Sequence, residues 1–205
     1  MHAPMPVPSA WVTRWAPLMR PGGHVLDLAC GSGRHLRWLA ERGWQLTGVD
    51  RDEAAVAPLR NLPGVAEIIV ADIEGGPWPL AGRRFDGIVV TNYLWRALLP
   101  CIEAALAAGG VLIYETFAVG NELFGKPSNP DFLLRPGELL SAFPGLRIVA
   151  YESGLEAAPD RVVQRLVAVA QADSHASAAG PEPSDPAAKI AAFGALRLQP
   201  SGKHP

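Results

Sequence analysis

Two aspartates and two glycines stand at spacings that suit seating a nucleoside beside an amine. Asp27 lies in the apolar run HVLDLA (24 to 29), and the residues after it, CGSGRH, set Gly31 and Gly33 ahead of a helical stretch. Glycines there permit a tight turn and close backbone approach, and the start of a helix offers unpaired N–H groups to a ligand anion. Leu36 occupies the place of the third glycine of the dinucleotide fingerprint G-x-G-x-x-G. The acidic Asp27 ahead of the loop would repel a pyrophosphate and welcome an amino group. Asp50 follows Gly31 by 19 residues, where a carboxylate accepts hydrogen bonds from both ribose hydroxyls. Asp72 and Ile73, after the run EIIVA (67 to 71), offer a carboxylate to an exocyclic adenine amine and an apolar side chain to the ring. A ligand with an amine and carboxylate at one end, ribose in the middle and adenine at the other is S-adenosylmethionine.

These residues need a scaffold that collects strand ends. Seven short runs rich in β-branched residues recur along the chain: HVLDLA (24 to 29), QLTGV (45 to 49), EIIVA (67 to 71), DGIVVT (86 to 91), GVLIYET (110 to 116), RIVAYES (147 to 153) and VVQRLVAVA (162 to 170). Helical stretches are predicted between them at Arg34 to Glu41, Glu53 to Leu59 and Leu98 to Ala108, the last closed by Gly109-Gly110, and later at Pro136 to Ala142 with Pro at its first position. A shorter helix is expected within residues 9–20, where Trp11, Trp15 and Leu18 form a stripe that packs or covers the ligand. This alternation predicts an α/β fold: a Rossmann-like, seven-stranded, mostly parallel sheet with helices on both faces and an antiparallel C-terminal hairpin. Ligands then sit outside the carboxyl ends of the strands, where the winding direction reverses.

Composition narrows the partners. The 205 residues carry 18 Lys and Arg against 20 Asp and Glu, so no basic footprint for nucleic acid is present, and 49% hydrophobic residues suffice for a core. Cys30 and Cys101 stand apart with no metal-ligand spacing, so no metal site is expected, and Cys30 reads as a packing residue. The four prolines and two tryptophans of the first 20 residues interrupt any leader-like apolar stretch, and no window suits a membrane span. A cytoplasmic monomer or homodimer acting on a small molecule, without membrane or nucleic-acid partners, is the expectation. Residues 1–172 make the expected domain, and residues 173–205, rich in Ala, Pro and Ser, an expected mobile tail with a weak helical pattern near 187–198.

With these motifs in order, the chain resembles the class I S-adenosylmethionine-dependent methyltransferases from residue 9 to about 171. The resemblance rests on D-x-x-x-G-x-G at 27–33, Asp50, ADIE around Asp72 and AAGGVLIYE at 107–115. It also implies that the last strand lies antiparallel between the fifth and sixth. More narrowly, ETFAVGNELFGKPSNPDFLLRPGELL (115–140) is similar to a bacterial subgroup distantly related to tellurite-resistance methyltransferases. That subgroup carries NYLHRPL where this chain has NYLWRAL (92–98), so Trp95 replaces a possible proton acceptor. TNYL (91–94) stands where amino-group methylating enzymes carry N/D-P-P-Y.

The resemblance implies S-adenosylmethionine as cofactor and S-adenosylhomocysteine as product. Asp27, Ala29, Gly31, Ser32, Gly33, Arg34, Asp50, Arg51, Asp72, Ile73 and Thr91 are the expected cofactor residues. Tyr93, Arg96 and Glu115 are the expected catalytic residues, and Trp95, Phe117, Asn121, Phe124 and Lys126 the expected substrate contacts. The long segment 117–134 is expected to act as a substrate lid. Methyl transfer to a small molecule leads, with a non-catalytic adenosyl-ligand-binding protein and a nicotinamide-dependent oxidoreductase as alternatives.

Overall fold

The computed structural model describes residues 7–171, so the expected tail at 173–205 lies outside the described residues. Seven strands, β1 (His24–Leu28), β2 (Gln45–Asp50), β3 (Val65–Val70), β4 (Phe85–Thr91), β5 (Leu106–Phe117), β6 (Leu146–Glu156) and β7 (Arg161–Ala170), form one sheet in the order β3-β2-β1-β4-β5-β7-β6. The first five are parallel, and β7 runs antiparallel between β5 and β6. This is the expected architecture, with the expected hairpin.

The central strands read as continuous apolar runs because both faces are covered. On one face Leu26, Leu28, Ile88, Val90, Leu112 and Tyr114 pack against α4 (Leu99–Ala104) and α5 (Glu138–Ala142). On the other, Val25, Val89, Val111, Ile113 and Val167 pack against α1 (Ala10–Trp15), α2 (Arg34–Ala40) and α3 (Glu53–Val56). Strand alternation therefore turns Asp27, Thr91, Glu115 and Arg165 toward the α1 and α2 face. They lie near one another across four strands, since Thr91 pairs with Glu115 and Glu115 with Arg165. Among the described residues no helix is long and apolar enough to cross a membrane.

Three local expectations are corrected. The helix expected over Leu98 to Ala108 ends at Ala104 after a 3-10 turn at Arg96–Leu98, because buried Leu106 already pairs with Phe85 as the first residue of β5. Gly109-Gly110 therefore forms no helix cap but a register shift in β5, where a Cβ at Gly110 would stand 2.8 Å from the Phe85 and Ala107 carbonyl oxygens. Pro136 is not the first helical residue: Gly137, with φ 72°, caps α5. The expected helix over Glu53 to Leu59 tightens into a 3-10 turn at Ala57–Leu59, where Pro58 supplies no N–H.

Candidate functional site

The reversal of winding falls between β1 and β4, and the crevice there is built by the loop after β1. Ala29 adopts φ 55°, a left-handed conformation that costs a residue with a side chain about 1 kcal/mol or more. The loop is then tied to β2 twice: the Cys30 N–H donates to the Val49 carbonyl at 3.0 Å and the Gly31 N–H to Asp50 Oδ2 at 2.7 Å. The other Asp50 oxygen accepts from the Asp52 N–H at 3.0 Å. The two glycines do different work. Gly33, at φ 76°, caps α2, and a Cβ there would meet Leu59 at 2.6 Å. Gly31, at φ 52°, has nothing within 4 Å of where a Cβ would stand, so its backbone borders open space. Burial pushes the Cys30 thiol up, consistent with packing.

Beside this loop lies a cavity of about 150 Å³ lined by Ala29, Asp50, Arg51, Asp72, Ile73, Glu74 and Tyr93. Asp72 caps the turn after β3, its Oδ1 accepting from the N–H groups of Gly75 and Glu74, and these bonds hold its carboxyl below the usual range. Tyr93 lines the same cavity as Asp50, Asp72 and Ile73. Its buried hydroxyl has no hydrogen-bond partner, and burial with the Glu74 and Asp72 charges pushes its ionisation up, so it remains a donor.

Asp27 sits at the end of β1 with 1% of its surface exposed and its Oδ2 without a hydrogen bond. Burial pushes its carboxyl up to about 7 against the opposing pull of the Arg34 guanidinium. Arg34 reaches across to Thr91 Oγ1 at 3.4 Å, bridging the ends of β1 and β4. His35, equally buried, points Nδ1 at Asp27 Oδ2 from 3.9 Å, while its Nε2 accepts from the Ser9 N–H at 3.2 Å. Burial lowers its imidazole to about 3, so the ring is neutral and its proton resides on Nδ1, facing Asp27.

Several expected site residues are engaged elsewhere. Glu115 is fully buried: it takes Arg165 Nε at 2.6 Å, Arg161 at 3.3 Å and the Ser9 hydroxyl at 3.1 Å. Its carboxylate is saturated by cations, which corrects its assignment as an accessible catalytic group. Arg96 forms a bidentate pair with Glu138 and donates to the carbonyls of Asp131 and Leu133, so it pins the 117–134 segment to α5. Asn121, 2% exposed, accepts from the Val162 N–H and donates to the Pro127 carbonyl, which makes it an internal brace rather than a substrate contact. Phe124 and Lys126 are exposed, Phe117 is half-buried, and Trp95 packs partly buried against the α4 face. Ser32 and Arg51 are exposed at the crevice rim. The roles of Ser9, Arg161 and Arg165 carry no local sequence signal, because their partner Glu115 lies 46 to 106 residues away.

The residues present fit S-adenosylmethionine on the structure's own terms. A buried carboxylate oxygen without a partner suits its ammonium, the space over Gly31 admits a ligand against bare backbone, and Asp50, Asp72, Ile73 and the unpartnered Tyr93 hydroxyl meet around one cavity. Fold and crevice together have the architecture of the class I S-adenosylmethionine-dependent methyltransferases. Residues 25–110 match the family described as "Methyltransferase domain". Over 101 residues the chain is 35% identical to a trans-aconitate 2-methyltransferase of Delftia acidovorans, covering 45% of this chain and 37% of that one. Over 107 residues it is 32% identical to a malonyl-[acyl-carrier protein] O-methyltransferase of Serratia marcescens, covering 49% and 41%. The chain thus spans about two fifths of the length of these curated relatives. Among solved structures, TehB from Haemophilus influenzae superimposes with a TM-score of 0.68 at 18% identity, over 80% of this chain and 63% of TehB. The fold is therefore distantly similar to that of TehB.

Proposed function

We propose that the protein transfers a methyl group from S-adenosylmethionine to a small-molecule acceptor whose nucleophilic atom carries no proton at neutral pH, with a carboxylate the leading class. The observation that carries the transfer reading is the cavity that Asp50, Asp72, Ile73 and Tyr93 line at the winding reversal, beside the glycine loop that follows the buried, half-unpartnered Asp27 carboxylate. The cofactor supplies an activated sulfonium leaving group. The chain's part is to bind and orient: Asp27 would hold the amine end, Asp50 the ribose, and Asp72, Ile73 and Tyr93 the base. Packing of α1 and α2 over the crevice excludes water and fixes the alignment on which in-line transfer depends.

The state of the expected catalytic groups and their neighbours supports a base-free reaction. Glu115 is saturated by arginines, His35 is buried with its Nε2 engaged, Tyr93 holds its proton, and Trp95 replaces a histidine. A carboxylate needs no base. The names of the two curated relatives point the same way, since both acceptors bear carboxylates. Thr91, Phe117, Phe124 and Lys126 remain the candidates for the acceptor side. The protein is taken to work in the cytoplasm as a monomer or homodimer, without nucleic acid or membrane.

The test measures S-adenosylhomocysteine formed with panels of small carboxylates, phenols, thiols and metalloid oxyanions. Turnover with a carboxylate, at a rate flat from about pH 6 upward once the cofactor is saturating, is expected, because such an acceptor is already ionised there. Turnover confined to phenols and rising toward about pH 10 would overturn the base-free reading. Tight binding of the cofactor with no product from any class would favour the adenosyl-ligand-binding alternative.

A further inference from the structure

A chain of buried polar contacts leaves the amine end of the crevice and ends in a cluster of charges under the N-terminal helix. It runs from Asp27 to His35, to the Ser9 N–H, through the Ser9 hydroxyl to Glu115, and on to Arg161 and Arg165, which both also bind Glu156. Asp27, His35, Ser9 and Glu115 are all less than a tenth exposed. Ser9 is the hinge of this chain. It caps α1, its Oγ accepting from the Trp11 N–H at 3.1 Å, while the same hydroxyl donates to Glu115 and the backbone N–H donates to His35.

We infer that Ser9 and His35 are positioning residues for the Asp27 carboxylate, so that seating residues 7–18 on the Glu115–arginine cluster sets how well the crevice holds the amine end of the cofactor. A neutral imidazole has one donor and one acceptor. The Ser9 N–H needs an acceptor and claims Nε2, so the ring proton is confined to Nδ1 and faces Asp27 Oδ2. If Ser9 leaves, the ring can carry its proton on Nε2 and turn a lone pair toward the carboxylate, which disfavours the charged form that an ammonium needs. Arg34, His35 and the Leu36 N–H face Asp27 from α2, the Cys30 thiol from the loop after β1, and Asp50 from the end of β2. Arg34 favours its ionisation and Asp50 opposes it. The imidazole proton adds to the first side only while Ser9 is seated. The inference rests on the methyltransferase reading, because it takes Asp27 as the amine contact.

The test is the affinity of the full chain for S-adenosylhomocysteine, measured by calorimetry across pH. Ser9→Pro removes the N–H, and the Ser9 φ of -58° suits proline. His35→Gln places an acceptor near the Nε2 position but no donor toward Asp27, whereas His35→Asn keeps a donor near the Nδ1 position and gives up the Ser9 acceptor. Ser9→Pro and His35→Gln are expected to bind within about twofold of wild type at about pH 9 and about fivefold or more weaker at about pH 6.5, with His35→Asn recovering part of that loss. If Ser9→Pro does not fold, the His35 pair decides. A loss equal at every pH would reduce both residues to structural braces and overturn the inference, as would profiles that track wild type. Failure of the wild type to bind at any pH would overturn the methyltransferase reading itself, and the inference with it.

Discussion

At the scale of single residues, Asp27 and His35 are buried together with opposite electrostatic costs. Burial raises Asp27 from 3.8 to about 7, so between those values the folded state holds a proton that the unfolded chain has lost. Its contribution to stability is fully present below 3.8 and is lost as pH rises to about 7. His35 is lowered from 6.5 to about 3, so its contribution is present above 6.5 and is lost as pH falls toward 3. The two slopes oppose each other over the shared window and largely cancel. Asp27→Asn should uncover the histidine slope, with the urea midpoint rising from about pH 4 to 6.5, and His35→Phe the aspartate slope, with the midpoint falling over the same range, each by up to about 1.4 kcal/mol per pH unit. Parallel profiles for both variants would show that the two groups are not buried as a pair. Asp27→Asn should also be more stable than wild type near neutral pH while losing cofactor affinity. Asp27 was legible in the sequence because its spacing to the glycines is local. The partner of His35 was not, since the Ser9 contact spans 26 residues and the Glu115 contact 106.

The element that separates structure from function is the loop between β1 and α2. Both glycines have positive φ, but only Gly33 is crowded, with Leu59 fully buried behind it. Gly33→Ala is therefore expected to lose about 2 to 4 kcal/mol of stability, from left-handed strain plus overpacking. Gly31→Ala pays the strain alone, about 1 to 2 kcal/mol, yet its methyl would stand in the space the ligand uses, so cofactor binding should fall by far more than stability. Denaturant titration and calorimetry on both variants separate the cases, and equal stability losses would refute the division. Sequence reading found every strand, because a buried parallel strand announces itself by a short β-branched run between breakers. It overran α4 because the Ala-rich stretch 104–108 favours helix locally, whereas pairing of Leu106 with Phe85 decides the outcome. The arginine partners of Glu115 are hidden from the sequence for a related reason. Its strand-end position was visible, but the facing arginines come from β7, whose register on β5 no local pattern encodes.

At the scale of the molecule, the sheet, its two cores and the crevice form one cooperative unit, so a ligand seated at the winding reversal should stabilise the whole fold. The proposed cofactor contacts would reach β1, β2 and the segments after β3 and β4 through Asp27, Asp50, Asp72 and Tyr93. Binding at about 100 times Kd adds about 2.7 kcal/mol to the folded state. For a domain of this size that corresponds to a rise in Tm of about 5 to 10 °C. S-adenosylhomocysteine is expected to produce this shift, and NAD little or none. The reason lies in the loop. A dinucleotide would bring a pyrophosphate toward Asp27, which is buried and whose ionised form repels it, and Leu36 fills the position where a third glycine would let the helix approach the strand. Adding Asp50→Ala to the same scan keeps the interpretation tied to the site. Its carboxylate is tied to both the Gly31 and Asp52 N–H groups, so the variant should have a lower Tm without ligand and should also lose most of the ligand-induced rise. A shift with NAD as large as with S-adenosylhomocysteine, or one that survives Asp50→Ala intact, would place the adenosyl ligand outside this crevice and return the oxidoreductase alternative to the front.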